Sequence, residues 1–369
     1  MDNRSLTIKV PGKLMIAGEY AVLESGYPAI VIAVNRYITI TIKDSSLNKL
    51  SIANAEQSDV SWTLDENGEI VGLERKKYSF LREAIRVSCQ FLKEMDVTIQ
   101  PFCLHIQSEL NDRNTGKKYG LGSSAAIVVG VIRSIVLFHN FELQNDPLQL
   151  YKLACIAHLK IQGNGSGADI AASVFGGWIY YSRYDITWLI SKLNQREGFL
   201  QEESIVNLIT MPWPSLRIEH IRPPSDIRLL IGWTKHTAKT APMVDKIETF
   251  QKQESKRYQE FLVQSKVAVE AFIRSCKLKD GIGVLNAIHH NRRALQYLSN
   301  MSGVPIETEE IKTLCDIADQ YGRGKSSGAG GGDCGLAFLL GDDKLDSLKE
   351  EWEQAGIIPL DLQVSEYMK

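Results

Sequence analysis

Residues 119–126 read Tyr119-Gly120-Leu121-Gly122-Ser123-Ser124-Ala125-Ala126 and run directly into an apolar stretch that ends near His139. Glycines at 120 and 122 let the backbone approach a ligand and take left-handed angles. The helix expected over Ser124 to His139 then offers unpaired N–H groups and the positive end of its dipole, which suit a phosphate chain. The serine hydroxyls can meet phosphate or a hard divalent cation. Gly-Lys-Ser/Thr is missing, so this is not a Walker loop. Ala125 stands where a dinucleotide fingerprint needs its third glycine. A helix merely capped by Ser123 or Ser124 after a glycine turn reads the same way, so the surrounding chain has to decide.

Three further segments bear on it. Upstream, Pro11-Gly12-Lys13-Leu14-Met15-Ile16-Ala17-Gly18-Glu19-Tyr20 places a lysine between a glycine turn and an apolar strand, where an ammonium can neutralise phosphate. Downstream, Gly163-Asn164-Gly165-Ser166-Gly167-Ala168-Asp169 puts an aspartate after a glycine loop and at the start of a helix, a position that capping and the helix dipole also favour. Near the end, Lys325-Ser326-Ser327-Gly328-Ala329-Gly330-Gly331-Gly332-Asp333-Cys334-Gly335 holds five glycines between 328 and 335. A flexible linker would not be followed at once by an apolar strand, so this loop reads as backbone brought close to a ligand.

The 369 residues suffice for two domains. In the first half, Ala29 to Val34, Tyr37 to Lys43 and the alternating Phe102, Leu104 and Ile106 read as strands, and Tyr78 to Glu94, Pro147 to Lys160 and Asp169 to Phe175 as helices. The polar, then proline-bearing stretch Asn194 to Pro214 suggests a boundary, giving domains over 1–205 and 206–369. Beyond it, the pattern predicts a strand at Arg228 to Trp233, a long charged helix from Val244 to Cys276, and helices at Leu285 to Leu298 and Glu307 to Tyr321. A closing strand, helix and strand follow at Gly335 to Leu340, Lys344 to Ala355 and Ile357 to Val364. The whole suits an α+β sandwich.

A net charge of −2 excludes an electrostatic nucleic-acid binder. The six cysteines are scattered, with no C-x-x-C and no zinc spacing, which fits a reducing cytosol rather than a disulfide framework. Gly130, Arg133 and Ser134 interrupt Ala125 to Phe138, which is too short and too polar to span a bilayer. Residues 1–10 lack a signal-peptide pattern. The expectation is a cytoplasmic protein with no membrane and no protein partner. His289 and His290 read as ordinary helix residues, and Arg292 and Arg293 as a solvated charged face rather than phosphate ligands.

Taken together and in this order, the four segments resemble the GHMP kinases, named for galactokinase, homoserine kinase, mevalonate kinase and phosphomevalonate kinase. The likeness covers nearly the whole chain, and Gly-Leu-Gly-Ser-Ser-Ala-Ala is its most specific part. It implies an N-terminal ribosomal-protein-S5-like α/β domain, a C-terminal ferredoxin-like α/β sandwich and an active site in the cleft between them. Lys117-Lys118-Tyr119 and Gly232-Trp233-Thr234, with the first and last glycine segments, are most similar to the family's bacterial phosphomevalonate kinases. Tyr20, where mevalonate kinases usually carry histidine, and Asp333, where they tend to have glycine, point the same way.

The resemblance then implies ATP and 5-phosphomevalonate as substrates, with Mg2+. It puts Lys118, Gly120, Leu121, Gly122, Ser123, Ser124 and Ala125 at ATP, and one of Ser123 and Ser124, taken as Ser124, at the magnesium ion. It puts Lys13, Tyr20, Lys118, Ser166, Thr240, Ser326, Ser327, Gly328 and Ala329 at the acceptor, and makes Lys13 and Asp169 catalytic. Thr240 rests on a substrate-facing loop from Thr237 to Met243. Asp169 is expected to orient Lys13 and the magnesium shell, because a phosphate acceptor, with its second pKa of about 6, needs no strong base. The alternatives are mevalonate kinase or another GHMP small-molecule kinase, diphosphomevalonate decarboxylase, and a non-catalytic nucleotide sensor on the same fold.

Overall fold

Strand β1 (Ser5–Ala17) begins half-exposed, alternating Leu6 and Ile8 with outward Thr7 and Lys9, and is almost wholly buried from Val10 onward. In the computed structural model, which describes residues 4–53, 59–66, 68–141, 146–193, 204–236 and 240–366, it pairs antiparallel with β2 (Pro28–Asp44). Their register jumps from Pro11–Tyr37 to Gly12–Val34, so Asn35 and Arg36 bulge from β2. This corrects two expectations. Gly12 lies inside a strand rather than in a turn, and the strands expected at Ala29–Val34 and Tyr37–Lys43 are one long strand carried through the bulge.

The first sheet has seven strands in the order β4-β3-β7-β2-β8-β9, with β1 also on β2. It comprises β3 (Lys49–Ile52), β4 (Val60–Ser61), β7 (Phe102–Ser108), β8 (Trp178–Ser182) and β9 (Arg217–Ile221). A small ribbon of β5 (Thr63–Leu64) and β6 (Ile70–Val71) stands apart from it. Four helices cover the sheet or lead into it: α1 (Ser79–Glu94), α2 (Ser123–Phe138), α3 (Pro147–Gln162) and α4 (Ala168–Phe175). Helix α2 buries Val128, Val129, Ile132 and Ile135 on nearly all sides, between β1–β2 and α1–α3, as an all-apolar helix must. Helix α3 starts where Asp146 accepts from the Leu148 and Gln149 N–H groups and Pro147 needs no partner. Short helices α5 (Ile186–Leu193) and α6 (Ile205–Thr210) precede β9.

The second sheet is antiparallel, in the order β11-β12-β10-β13: β10 (Ile227–Trp233), β11 (Arg323–Ser326), β12 (Cys334–Leu340) and β13 (Ile358–Leu360). Helices α7 (Thr240–Gln253), α8 (Ser255–Leu278), α9 (Gly281–Ser302), α10 (Glu309–Asp319) and α11 (Leu345–Gln354) complete this half. Leu230, Leu314, Ala337, Leu339 and Trp352 form its core. The long helix expected from Val244 to Cys276 is two helices. Glu254 leaves helical geometry (φ −127°, ψ 49°), which lets Tyr258, Phe261 and Leu262 join Met243, Ile247 and Phe250 in one cluster. No glycine or proline marks that break. The closing strand is also shorter than the Ile357–Val364 pattern.

Strand β9 completes the first sheet and β10 opens the second, so the chain passes between the two sheets within 222–226. Of the stretch that suggested the boundary, 194–203 lies outside the described residues. The halves are stitched twice. Tyr20 and Ala21 are buried among α7, α8 and α9, and the tail returns to the first sheet. There the Asn35 N–H donates to Gln363, the Ser365 N–H to Ala33, and the Gly177 N–H to Ser365. Among the described residues, no helix is long and apolar enough to cross a membrane.

Candidate active site

Helix α2 begins at Gly122, which takes the left-handed conformation (φ 75°) and gives the helix no side-chain cap. Its first-turn N–H groups therefore present positive partial charge at the loop. The loop is fixed on β1, since the Lys13 N–H donates to the Leu121 carbonyl at 2.9 Å. Lys13 Nζ lies 3.5 Å from the Gly120 carbonyl. A Cβ at Gly122 would stand 2.9 Å from Lys13 Cγ, and one at Gly328 would stand 4.0 Å from Lys13 Nζ. The structure thus brings Lys13, Gly120, Gly122 and Gly328 together, although Gly328 lies more than three hundred residues from Lys13 in sequence. Gly122→Ala combines backbone strain with a collision on the lysine stem. We expect kcat/KM for the nucleotide to fall roughly tenfold, about 1.4 kcal/mol, with the circular dichroism spectrum unchanged. An unaltered kcat/KM would show that the lysine does not depend on this contact.

Beside the loop opens a cleft of about 810 Å³, walled by Tyr78, Ser79, Phe80, Lys118, Ser123 and Ser124. Lys118 is exposed on its rim. Lys117 reaches across to the Lys235 carbonyl at 3.2 Å. Asp112 anchors the adjoining turn. It accepts from the Thr115 hydroxyl (2.7 Å) and N–H (2.8 Å), bonds that hold its carboxyl below the usual range.

Ser124 and Asp169 both lie near a residue the sequence reading passed over, His158. His158 Nε2 lies 3.3 Å from Ser124 Oγ, and the ring packs on Phe80 with centroids 4.8 Å apart. Burial pushes its imidazole below the ordinary histidine value, while the nearby Asp169 carboxylate pulls the other way. Among the described residues no ion pair joins Asp169 to Lys13. Asp169 is placed at the start of α4, where its carboxylate accepts from the Ile170 N–H. The glycine loop before it is braced by buried Arg183, which donates to the Leu23, Asn164 and Gly165 carbonyls. Ser166 Oγ accepts from the Ala168 N–H at 3.3 Å.

On the other wall, several residues expected at a ligand bond to the chain itself. Ser327 Oγ accepts from the Met15 N–H (3.2 Å) and donates to the Met15 carbonyl (2.9 Å). Buried Tyr20 donates to the Ala329 carbonyl at 2.6 Å, and burial, then Glu19, raises its phenol far above the ordinary value. Ser326 is wholly buried, and its hydroxyl finds no hydrogen-bond partner among the described residues. Thr240 is the exposed first residue of α7 rather than part of a loop, and 237–239 lie outside the described residues. Arg292 is buried, not solvated. It donates to Glu307, Asp316 and Asp319, while Arg293 is exposed as expected.

Two domain descriptions match the chain: the GHMP kinases N-terminal domain over residues 79–177 and the GHMP kinases C-terminal domain over 272–358. A phosphomevalonate kinase of Streptomyces sp. (strain CL190) is 31% identical across 97% of this chain and 97% of its own. The chain belongs to the GHMP kinase family. As a GHMP kinase it is a phosphotransferase that uses ATP. Among solved structures, the Lin0012 protein of Listeria innocua is 40% identical with a TM-score of 0.89, covering 98% of this chain and 99% of that one. Phosphomevalonate kinase of Streptococcus pneumoniae, in complex with phosphomevalonate and AMPPNP, is 26% identical with a TM-score of 0.84, covering 97% and 99%.

Proposed function

We propose that this GHMP kinase transfers the γ-phosphoryl group of ATP to (R)-5-phosphomevalonate, giving 5-diphosphomevalonate and ADP in the mevalonate route to isoprenoids. The observation that carries the reading is the convergence of Lys13, the uncapped start of α2 and the Gly328 loop. It occurs in a chain that matches a phosphomevalonate kinase along almost its entire length.

The chemistry follows from charge. An oxygen of the acceptor phosphate, largely dianionic above its second pKa of about 6, attacks the γ-phosphorus. The bond to the β,γ-bridging oxygen breaks, and ADP leaves with the electron pair. No proton has to be removed first, so the obstacle is the meeting of two polyanions. Lys13 and the N–H groups of α2 offset that repulsion, and Lys118 adds a cation at the rim. The α1–α2 cleft has room for the nucleoside. The hydroxyl of Ser123 or Ser124 and the Asp169 carboxylate are hard oxygen donors, few in number, as suits an ion that keeps most of its water. They would hold Mg2+, which supplies charge neutralisation on the phosphates when bound. All six cysteines are free thiols, which supports a cytoplasmic setting.

A coupled ADP-release assay with mevalonate, 5-phosphomevalonate and 5-diphosphomevalonate tests the assignment. We expect turnover with 5-phosphomevalonate alone, abolished by chelating Mg2+. Turnover with mevalonate would make the chain an alcohol kinase of the same family. Carbon dioxide released from 5-diphosphomevalonate would make it a decarboxylase.

A further inference from the structure

The Lys325 ammonium is fully buried in the second sheet and pairs with Glu19, itself 2% exposed, from the segment after β1. The same ammonium donates to the Ser326 carbonyl. Asn291 of α9, with its amide turned to suit both neighbours, donates to the second Glu19 oxygen at 3.1 Å and accepts from the Gly18 N–H at 3.2 Å. One buried ion pair therefore joins three distant places: the end of β1, strand β11 and helix α9.

A pair like this is a poor way to gain stability. Removing both charges from water costs several kcal/mol per ion, and apolar side chains of similar volume hold such sites equally well. What the pair adds is direction. Next to it in sequence, Ser327 clamps Met15 and Ala329 receives Tyr20. The segment 15–20 is thus matched contact by contact to 325–329, and Lys13 and Gly328 sit at the end of that ladder.

We propose that Lys325 is a positioning residue for phosphoryl transfer. Its pair with Glu19 sets the offset between the Lys13 ammonium and the Ser326–Ala329 loop, which on that reading meets the acceptor phosphate. This rests on the phosphoryl-transfer reading above. The nucleotide cleft lies between α1 and α2, away from the pair, so the acceptor side should bear the effect.

The test compares Glu19→Gln, Lys325→Met and the double variant, with thermal midpoint, kcat and both KM values measured on the full chain. Either single variant leaves one buried charge and is expected to be strongly destabilised. The double variant is expected to melt within about 3 °C of the wild type. Its kcat/KM for the acceptor should still be about tenfold lower, with KM for ATP within about twofold. A double variant with wild-type acceptor kinetics overturns the proposal. So does one that fails to fold, or one that loses affinity for both substrates equally, because the pair is then structural. If the wild type instead phosphorylates mevalonate, the substrate assignment fails, and the same comparison is made with mevalonate as acceptor.

Discussion

Lys13→Met is expected to lower kcat roughly 10³-fold, with the thermal midpoint and KM for ATP little changed. The methionine keeps the stem that packs against Gly122 and removes only the ammonium that lies by Gly120 and Gly328. That charge matters most when both phosphates share the loop, so the loss belongs in kcat. Asp169→Asn is the control. Asp169 makes no ion pair with Lys13 among the described residues, and its neighbours are the Ile170 N–H and His158. Its kcat should therefore fall only about tenfold. Single-turnover measurements on both variants check the pair. An Asp169 variant more crippled than the lysine variant, in a correctly folded protein, would restore a general base to the mechanism.

The largest effect on stability is expected at Arg292. Its guanidinium is 7% exposed and meets Glu307 at 2.8 Å, Asp319 at 2.8 Å and Asp316 at 3.0 Å. Burial works against the charge, but the Glu307 bond and its neighbours outweigh it, so the group is held more basic than usual. Arg292→Met would leave Glu307, itself 12% exposed, without its cation. Breaking a buried pair from one side costs about 3–5 kcal/mol. Urea unfolding should show the midpoint falling with an unchanged slope. A loss under 1 kcal/mol would mean that solvent reaches the carboxylates freely.

The parts legible in the sequence are those with local periodicity or dense glycine. The helix after Gly122, read one residue late at Ser124, the helix after Gly167 and the strand after the last glycine loop could all be read from a few consecutive residues. Arg292 carried a signal that charge alone concealed: it stands four residues after Ile288 and three before Leu295, on the buried stripe of α9. His158 likewise follows Ala154 by one helical turn on the buried side of α3. Glu19 and Lys325 gave no such clue, because a pairing across 306 positions leaves no pattern in either neighbourhood. Nor did the sequence show that Ser327 would clamp Met15 or that Ser326 would be buried. That depends on the packing of β1 against the glycine loop.

The return of residues 363–365 to the first sheet has a consequence for biogenesis. Ala33, Asn35 and Gly177 have to wait for backbone partners that leave the ribosome after the entire second sheet. The amino-terminal half therefore cannot complete that seam until the last residues emerge. A nascent chain arrested before residue 362 should remain protease-sensitive near Ala33 and Gly177, and a longer one should close that seam.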